Sequence, residues 1–230
     1  MAPAKAACLY LPEELWNCII KILNDDNHRY LEPLSVVSKQ FLSITNCLQF
    51  SVTVTDQAVP FIPRLFQRFP NLTSLNVTIS SKRKECDFNA LLIEISTFPL
   101  SNIKSLHLSN LNSKIPKLGL QALSKKMKNL TSLTCSKILG IGRKHLLLIA
   151  YSFPLLEELN LSFPIFSISR KYEFALGNVH QVLPLPKLQQ INLSGDLMDR
   201  IYGFYYLRKI YERLGGGGRI DIDLVWDCCL

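Results

Sequence analysis

Asn71-Leu72-Thr73-Ser74-Leu75-Asn76-Val77-Thr78 is the stretch on which the reading of this chain turns. Its apolar residues sit at Leu72-x-x-Leu75-x-Val77. The pattern returns as Ile103-x-x-Leu106-x-Leu108, Leu130-x-x-Leu133-x-Cys135, Leu156-x-x-Leu159-x-Leu161 and Leu188-x-x-Ile191-x-Leu193. Successive copies begin roughly 26 to 32 residues apart, the size of one structural repeat. The flanks also agree, with Pro70-Asn71, Ser101-Asn102, Lys128-Asn129, Pro154-Leu155 and Pro186-Lys187 ahead of the first apolar position.

The last two apolar residues of each copy alternate with polar ones. That is the period of a strand with one face turned inward. Between copies the spacing becomes helical, with Phe88, Leu91, Leu92 and Ile95; Leu120, Leu123 and Met127; Leu146, Ile149, Ala150 and Phe153; and Tyr172, Leu176, Val179 and Leu183. Phe98-Pro99, Phe153-Pro154 and Leu185-Pro186 stop helices before the next strand, because a residue before proline avoids the helical region. No single unit can bury its apolar side alone, so the units must stack, strands parallel and helices outside. Leu197 to Leu214 reads as a helix interrupted at Gly203, Gly215 to Gly218 as a loop, and Ile220, Ile222 and Leu224 as one more strand.

The N-terminal segment is of another kind. Leu11-Pro12 opens a helix, with proline at a position where its missing N–H costs nothing. Glu13 and Glu14 follow in the first turn, favoured by the helix dipole. The helix is expected to end in the turn residues Asn24-Asp25-Asp26-Asn27, a second to start at Pro33, and a third to run from Phe41 to Leu48. The first helix carries two apolar stripes, one of Leu15, Cys18, Ile19 and Ile22 and one of Trp16, Ile20 and Leu23. One can cover the small helical core. The other, expected to be Trp16, Ile20 and Leu23, has nothing left to bury it in a segment of roughly 40 residues, which is near the lower limit for independent folding. The segment therefore calls for a partner.

Leu11-Pro12-x-Glu14-Leu15, Ile19 or Ile20, Leu23, and then Val37-Ser38-Lys39-Gln40-Phe41 resemble the F-box, with Ser38 in place of the usual cysteine and Phe41 in place of the usual tryptophan. The repeat motif resembles the leucine-rich repeats that follow F-boxes of plant type. Together these resemblances imply an α/β chain: a small N-terminal helical F-box at 8–50, a connecting segment at 51–60, and a leucine-rich-repeat solenoid with a parallel concave sheet and outer helices at 61–230. The resemblance also implies a substrate-recognition subunit of an SCF-type ubiquitin ligase, without catalysis or cofactor of its own. Leu11, Pro12, Leu15, Ile19, Ile20, Leu23, Leu34, Val37 and Phe41 would contact a Skp-type adaptor and, through it, a cullin. The alternative is a repeat scaffold outside any ligase, with the F-box-like segment as its cap.

The strand positions between the leucines define a polar face on which a protein target would be held: Ser74, Asn76, Ser105, His107, Ser132, Thr134, Glu158, Asn160, Gln190 and Asn192. The chain carries a formal net charge of +8, and the basic surplus lies after residue 48. Runs such as Lys82-Arg83-Lys84 and Lys125-Lys126-x-Lys128 suit an acidic target, or simply a solvated outer surface.

Other functions find no footing in the motifs. A Walker loop, G-x-S-x-G, H-E-x-x-H and a glycine-rich dinucleotide turn are all missing. Gly140-x-Gly142 lacks its third glycine. Four scattered histidines do not suggest a metal site, and seven cysteines without C-x-x-C read as reduced thiols. Neither a leader peptide nor a run of apolar residues long enough to span a membrane is evident. A cytoplasmic or nuclear chain without nucleic-acid or membrane partners is the expectation. Cys228-Cys229-Leu230 does not match C-a-a-X, and the five sequons, at Asn71, Asn76, Asn129, Asn160 and Asn192, follow from small polar residues alternating with leucines.

Overall fold

A computed structural model describes residues 11–26, 30–79, 87–109, 115–137, 143–162 and 185–194. It divides into two compact units, one comprising 1–50 with 65–71 and the other 51–64 with 72–230.

The first unit is helical. Its elements are α1 (Glu13–Asp26), α2 (Leu31–Ser35) and α3 (Lys39–Leu48). Pro12 stands just outside α1 rather than at its first position; its carbonyl accepts from Leu15 N at 3.1 Å and Trp16 N at 3.2 Å. Asn24, Asp25 and Asp26 continue the helix where turn residues were expected to stop it. Pro33 lies inside the short α2, where an N–H in the first turn has no intrahelical partner to lose. Ser38 is extended and caps α3, its hydroxyl accepting from Phe41 N at 3.1 Å. So the serine that departs from the signature has a structural use of its own. Ile20, Leu31 and Ile44 form the buried core, with Trp16, Leu34, Phe41 and Leu48 packed against it.

The second unit is α/β. Its six strands, β1 (Ser51–Thr55), β2 (Ser74–Thr78), β3 (Ser105–Ser109), β4 (Ser132–Cys135), β5 (Glu158–Ser162) and β6 (Gln190–Ser194), form one parallel sheet in sequence order. Crossovers contain α4 (Ile62–Arg68), α5 (Phe88–Ile95), α6 (Lys117–Ser124) and α7 (Arg143–Ser152), as parallel pairing requires. Residues 51–60 are thus no connector. Ser51 to Thr55 are the first strand, and Asp56–Phe61 form a 3-10 helix.

Register repeats from strand to strand. Leu75, Leu106, Leu133, Leu159 and Ile191 align in one column, and Val77, Leu108, Cys135, Leu161 and Leu193 in the next. Val52 and Val54 extend both columns onto β1. Leu75, Leu106, Leu108 and Leu133 are fully buried, and each such side chain contributes about 1.5–3 kcal/mol. The four helical stretches expected from spacing include α5, α6 and α7. The stretch at Tyr172 to Leu183 and everything after Ser194 lie outside the described residues.

One hydrogen-bond device joins neighbouring units. The carbonyl just before a strand accepts two successive N–H groups of the next repeat: Thr73 O from Lys104 and Ser105, Lys104 O from Thr131 and Ser132, Thr131 O from Glu157 and Glu158, Glu157 O from Gln189 and Gln190. Phe153-Pro154-Leu155-Leu156 and Leu185-Pro186-Lys187-Leu188 close the preceding turns through Leu156 N to Phe153 O and Leu188 N to Leu185 O. Proline sits at the second turn position in both, where its fixed φ is an asset.

Candidate docking and binding faces

Helical geometry places Leu15, Ile19, Ile22 and Leu23 of α1 within an arc of roughly 100°. All four are exposed, Leu15 by 49% and Ile22 by 63%. Ile20 on the other side is 1% exposed. The expected sidedness is therefore reversed. The bare stripe is the one with Leu15, Ile19 and Ile22, with Leu23 at its margin, while Ile20 and the half-buried Trp16 face the core. Ile20 consequently leaves the set of contact residues, because packing against Leu31 and Ile44 already occupies it. Both stripes are apolar, so periodicity alone could not say which one the three-helix core would take.

Of the other expected contacts, Pro12 is exposed and Leu11 half-buried. Leu34 and Phe41 are half-buried and tied to the core. Phe41 meets Trp16 edge-on, with ring centroids 4.7 Å apart. Val37 is 63% exposed and its neighbour Val36 83%. The turn closed by Val37 N to Leu34 O, with the Ser38 cap directly after it, turns both valines outward. Ile22, Val36 and the exposed Tyr30 were not among the residues expected to dock. The Val36-Val37 doublet ahead of a capping serine was the available signal.

The sheet unit presents a polar face made of three ladders. Ser51, Ser74, Ser105, Ser132, Glu158 and Gln190 align in one; Thr53, Asn76, His107, Thr134, Asn160 and Asn192 in the second; Thr55, Thr78 and Ser109, then Ser162 and Ser194, in the third. All the residues expected to hold a target thus fall on two neighbouring ladders. Asn76 Nδ2 donates to Thr53 Oγ1 at 3.5 Å, a weak link along the second. Among the described residues the face carries no lysine or arginine, and Glu158 is its one carboxylate and His107 its one imidazole. Partial burial lowers the His107 pKa, because desolvation disfavours the charged ring. On the apolar side, burial pushes the Cys135 thiol up to about 12.

Among the described residues no group of three or more His, Cys, Asp and Glu could hold a metal ion, and no helix is long and apolar enough to cross a membrane. Neither a protein-family model nor a curated protein matches the chain.

Proposed function

We propose that this chain is a substrate-recognition subunit of an SCF-type ubiquitin ligase, with residues 8–50 an F-box and the sheet unit a leucine-rich-repeat array. The reading rests on the F-box resemblance, and one observation supports it most. A unit of this size leaves Leu15, Ile19 and Ile22 bare along one helix while Ile20 closes its core. Large apolar side chains in a continuous stripe are costly to leave in water. Burying three or four against a partner contributes about 1.5–3 kcal/mol each before association costs.

A Skp-type adaptor covers that stripe, together with Val36 and Val37, and links the chain to a cullin. The array holds the target protein. Catalysis here is positional. The target lysine is kept near a ubiquitin-loaded enzyme elsewhere on the complex, so the chain needs no reactive group. The working compartment is the cytoplasm or nucleus.

Co-purification with a Skp-type adaptor tests the assignment. Deleting residues 1–50 is a poor test against the scaffold alternative. Asn71 Nδ2 donates to Cys47 O at 2.9 Å and Arg68 Nε to Asn46 Oδ1 at 2.9 Å, so the deletion also strips 65–71 of its own unit. Substitutions on the bare stripe leave that unit whole.

A further inference from the structure

We propose that the N-terminal ends of β3 and β4 form a docking surface for an acidic segment of a protein partner, held by Lys104, Lys125, Lys126 and Lys128. This sharpens, and rests on, the reading of the sheet unit as the part that holds a target.

Residues 95–156 contain nine lysines and arginines and no aspartate or glutamate. That stretch alone exceeds the chain's formal surplus of +8. None of these cations lies on β3 or β4, which present only Ser105, His107, Ser109, Ser132 and Thr134 on the polar face. Instead, four gather where the chain turns into these strands. Lys104 immediately precedes β3, Lys125 and Lys126 lie in the turn that ends α6, and Lys128 lies in the turn before β4. All four are exposed, and none is in an ion pair with a described carboxylate.

The backbone beneath them is held in place. Lys104 N donates to Thr73 O at 2.8 Å, and Lys104 O accepts from Thr131 N at 2.8 Å. Lys126 N donates to Leu123 O at 2.9 Å. Asn129, beside Lys128, donates from Nδ2 to Ser101 O at 3.0 Å, which sets the two turns side by side. Like charges are thus kept together on a fixed platform, and such a group is relieved by an anionic partner. Glu157 and Glu158 at the start of β5 mark its limit. Four ammonium groups, with no arginine fork in these turns and with Phe98 in the loop before β3 half-buried, offer charge but little stacking surface for bases. That favours carboxylates over nucleic acid.

The test uses the full chain and a fluorescein-labelled oligoglutamate, with an oligothymidylate of matching charge as comparator. The quadruple variant Lys104→Gln, Lys125→Gln, Lys126→Gln, Lys128→Gln is set against a control of equal net charge, Lys39→Gln, Arg64→Gln, Lys117→Gln, Lys137→Gln. All eight positions are exposed, and thermal melts check that both variants fold. The proposal expects oligoglutamate binding that weakens with salt, falls about tenfold in the first variant and changes less than about twofold in the control. Equal losses in the two variants, tighter binding of the oligothymidylate, or no binding by the wild type would each overturn it. Adaptor binding measured alongside separates the two ideas, because its absence would remove the ligase reading while leaving the oligoglutamate result intact.

Discussion

The indole of Trp16 meets the ring of Phe41 at 61° with centroids 4.7 Å apart, and this pair ties α1 to α3. Edge-to-face rings add about 0.5–1.5 kcal/mol beyond their burial. With Ile20 beneath them, they fix which side of α1 is spent on the fold. Ile20→Ala should therefore cost about 2–5 kcal/mol in urea denaturation, as core truncations do. Leu15→Ala on the bare side should stay within about 0.5 kcal/mol of wild type. Equal costs at the two positions would mean the sidedness is wrong.

Gly119 has no room for a side chain. A Cβ there would lie 2.6 Å from Leu92 Cβ on the neighbouring helix. The same glycine donates its N–H to Asn89 Oδ1 at 3.0 Å, so α5 caps the first turn of α6. Gly119→Ala should separate the two helices and cost about 1–3 kcal/mol, even though alanine is the better helix former. Calorimetry showing a raised Tm would contradict this packing.

His107 should make the sheet unit sensitive to acid. Its folded pKa lies below the unfolded value, so the unfolded chain binds more protons as pH drops. The stability held by the neutral ring is present above the unfolded pKa near 6.5 and is lost as pH falls below it. No other titratable side chain shares its ladder on β2 or β4, where Asn76 and Thr134 flank it. His107→Gln should flatten the fall in urea stability between neutral and mildly acid pH. An unchanged pH dependence would show that other groups govern it.

Thiol reactivity should follow burial. Cys18 and Cys47 are exposed, whereas Cys135 is enclosed and its pKa stands at about 12. Mass spectrometry after brief alkylation of the native chain should find Cys18 and Cys47 modified well before Cys135. Early labelling of Cys135 would indicate that β4 opens readily.

The repeat was legible because alternation and spacing are local. Leu75, Leu106, Leu133 and Leu159 fall in register as their motif requires. β1 was harder to place. Phe50 to Val54 is strand-like in its alternation, but valines where the other copies have leucines and the missing leading apolar residue keep it out of the repeat pattern and inside the connecting segment 51–60. Only its pairing with β2 makes it the first strand. The sidedness of α1 depends on tertiary packing, which two equally apolar stripes do not encode. Likewise the Asn89–Gly119 bond spans 30 residues and leaves no pattern within either helix.

Docking of α1 is the claim on which the functional account stands, and it is measured most directly by titrating the purified chain into a Skp-type adaptor in a calorimeter. The account predicts a one-to-one complex for the wild type. Leu15→Asp with Ile22→Asp should weaken it about a hundredfold or more, since two apolar anchors are lost and each 1.4 kcal/mol is a factor of ten. The thermal melt of that variant should stay near that of wild type, because both side chains already face solvent. Adaptor binding unaffected by the double substitution, or no heat from the wild type at all, would contradict it.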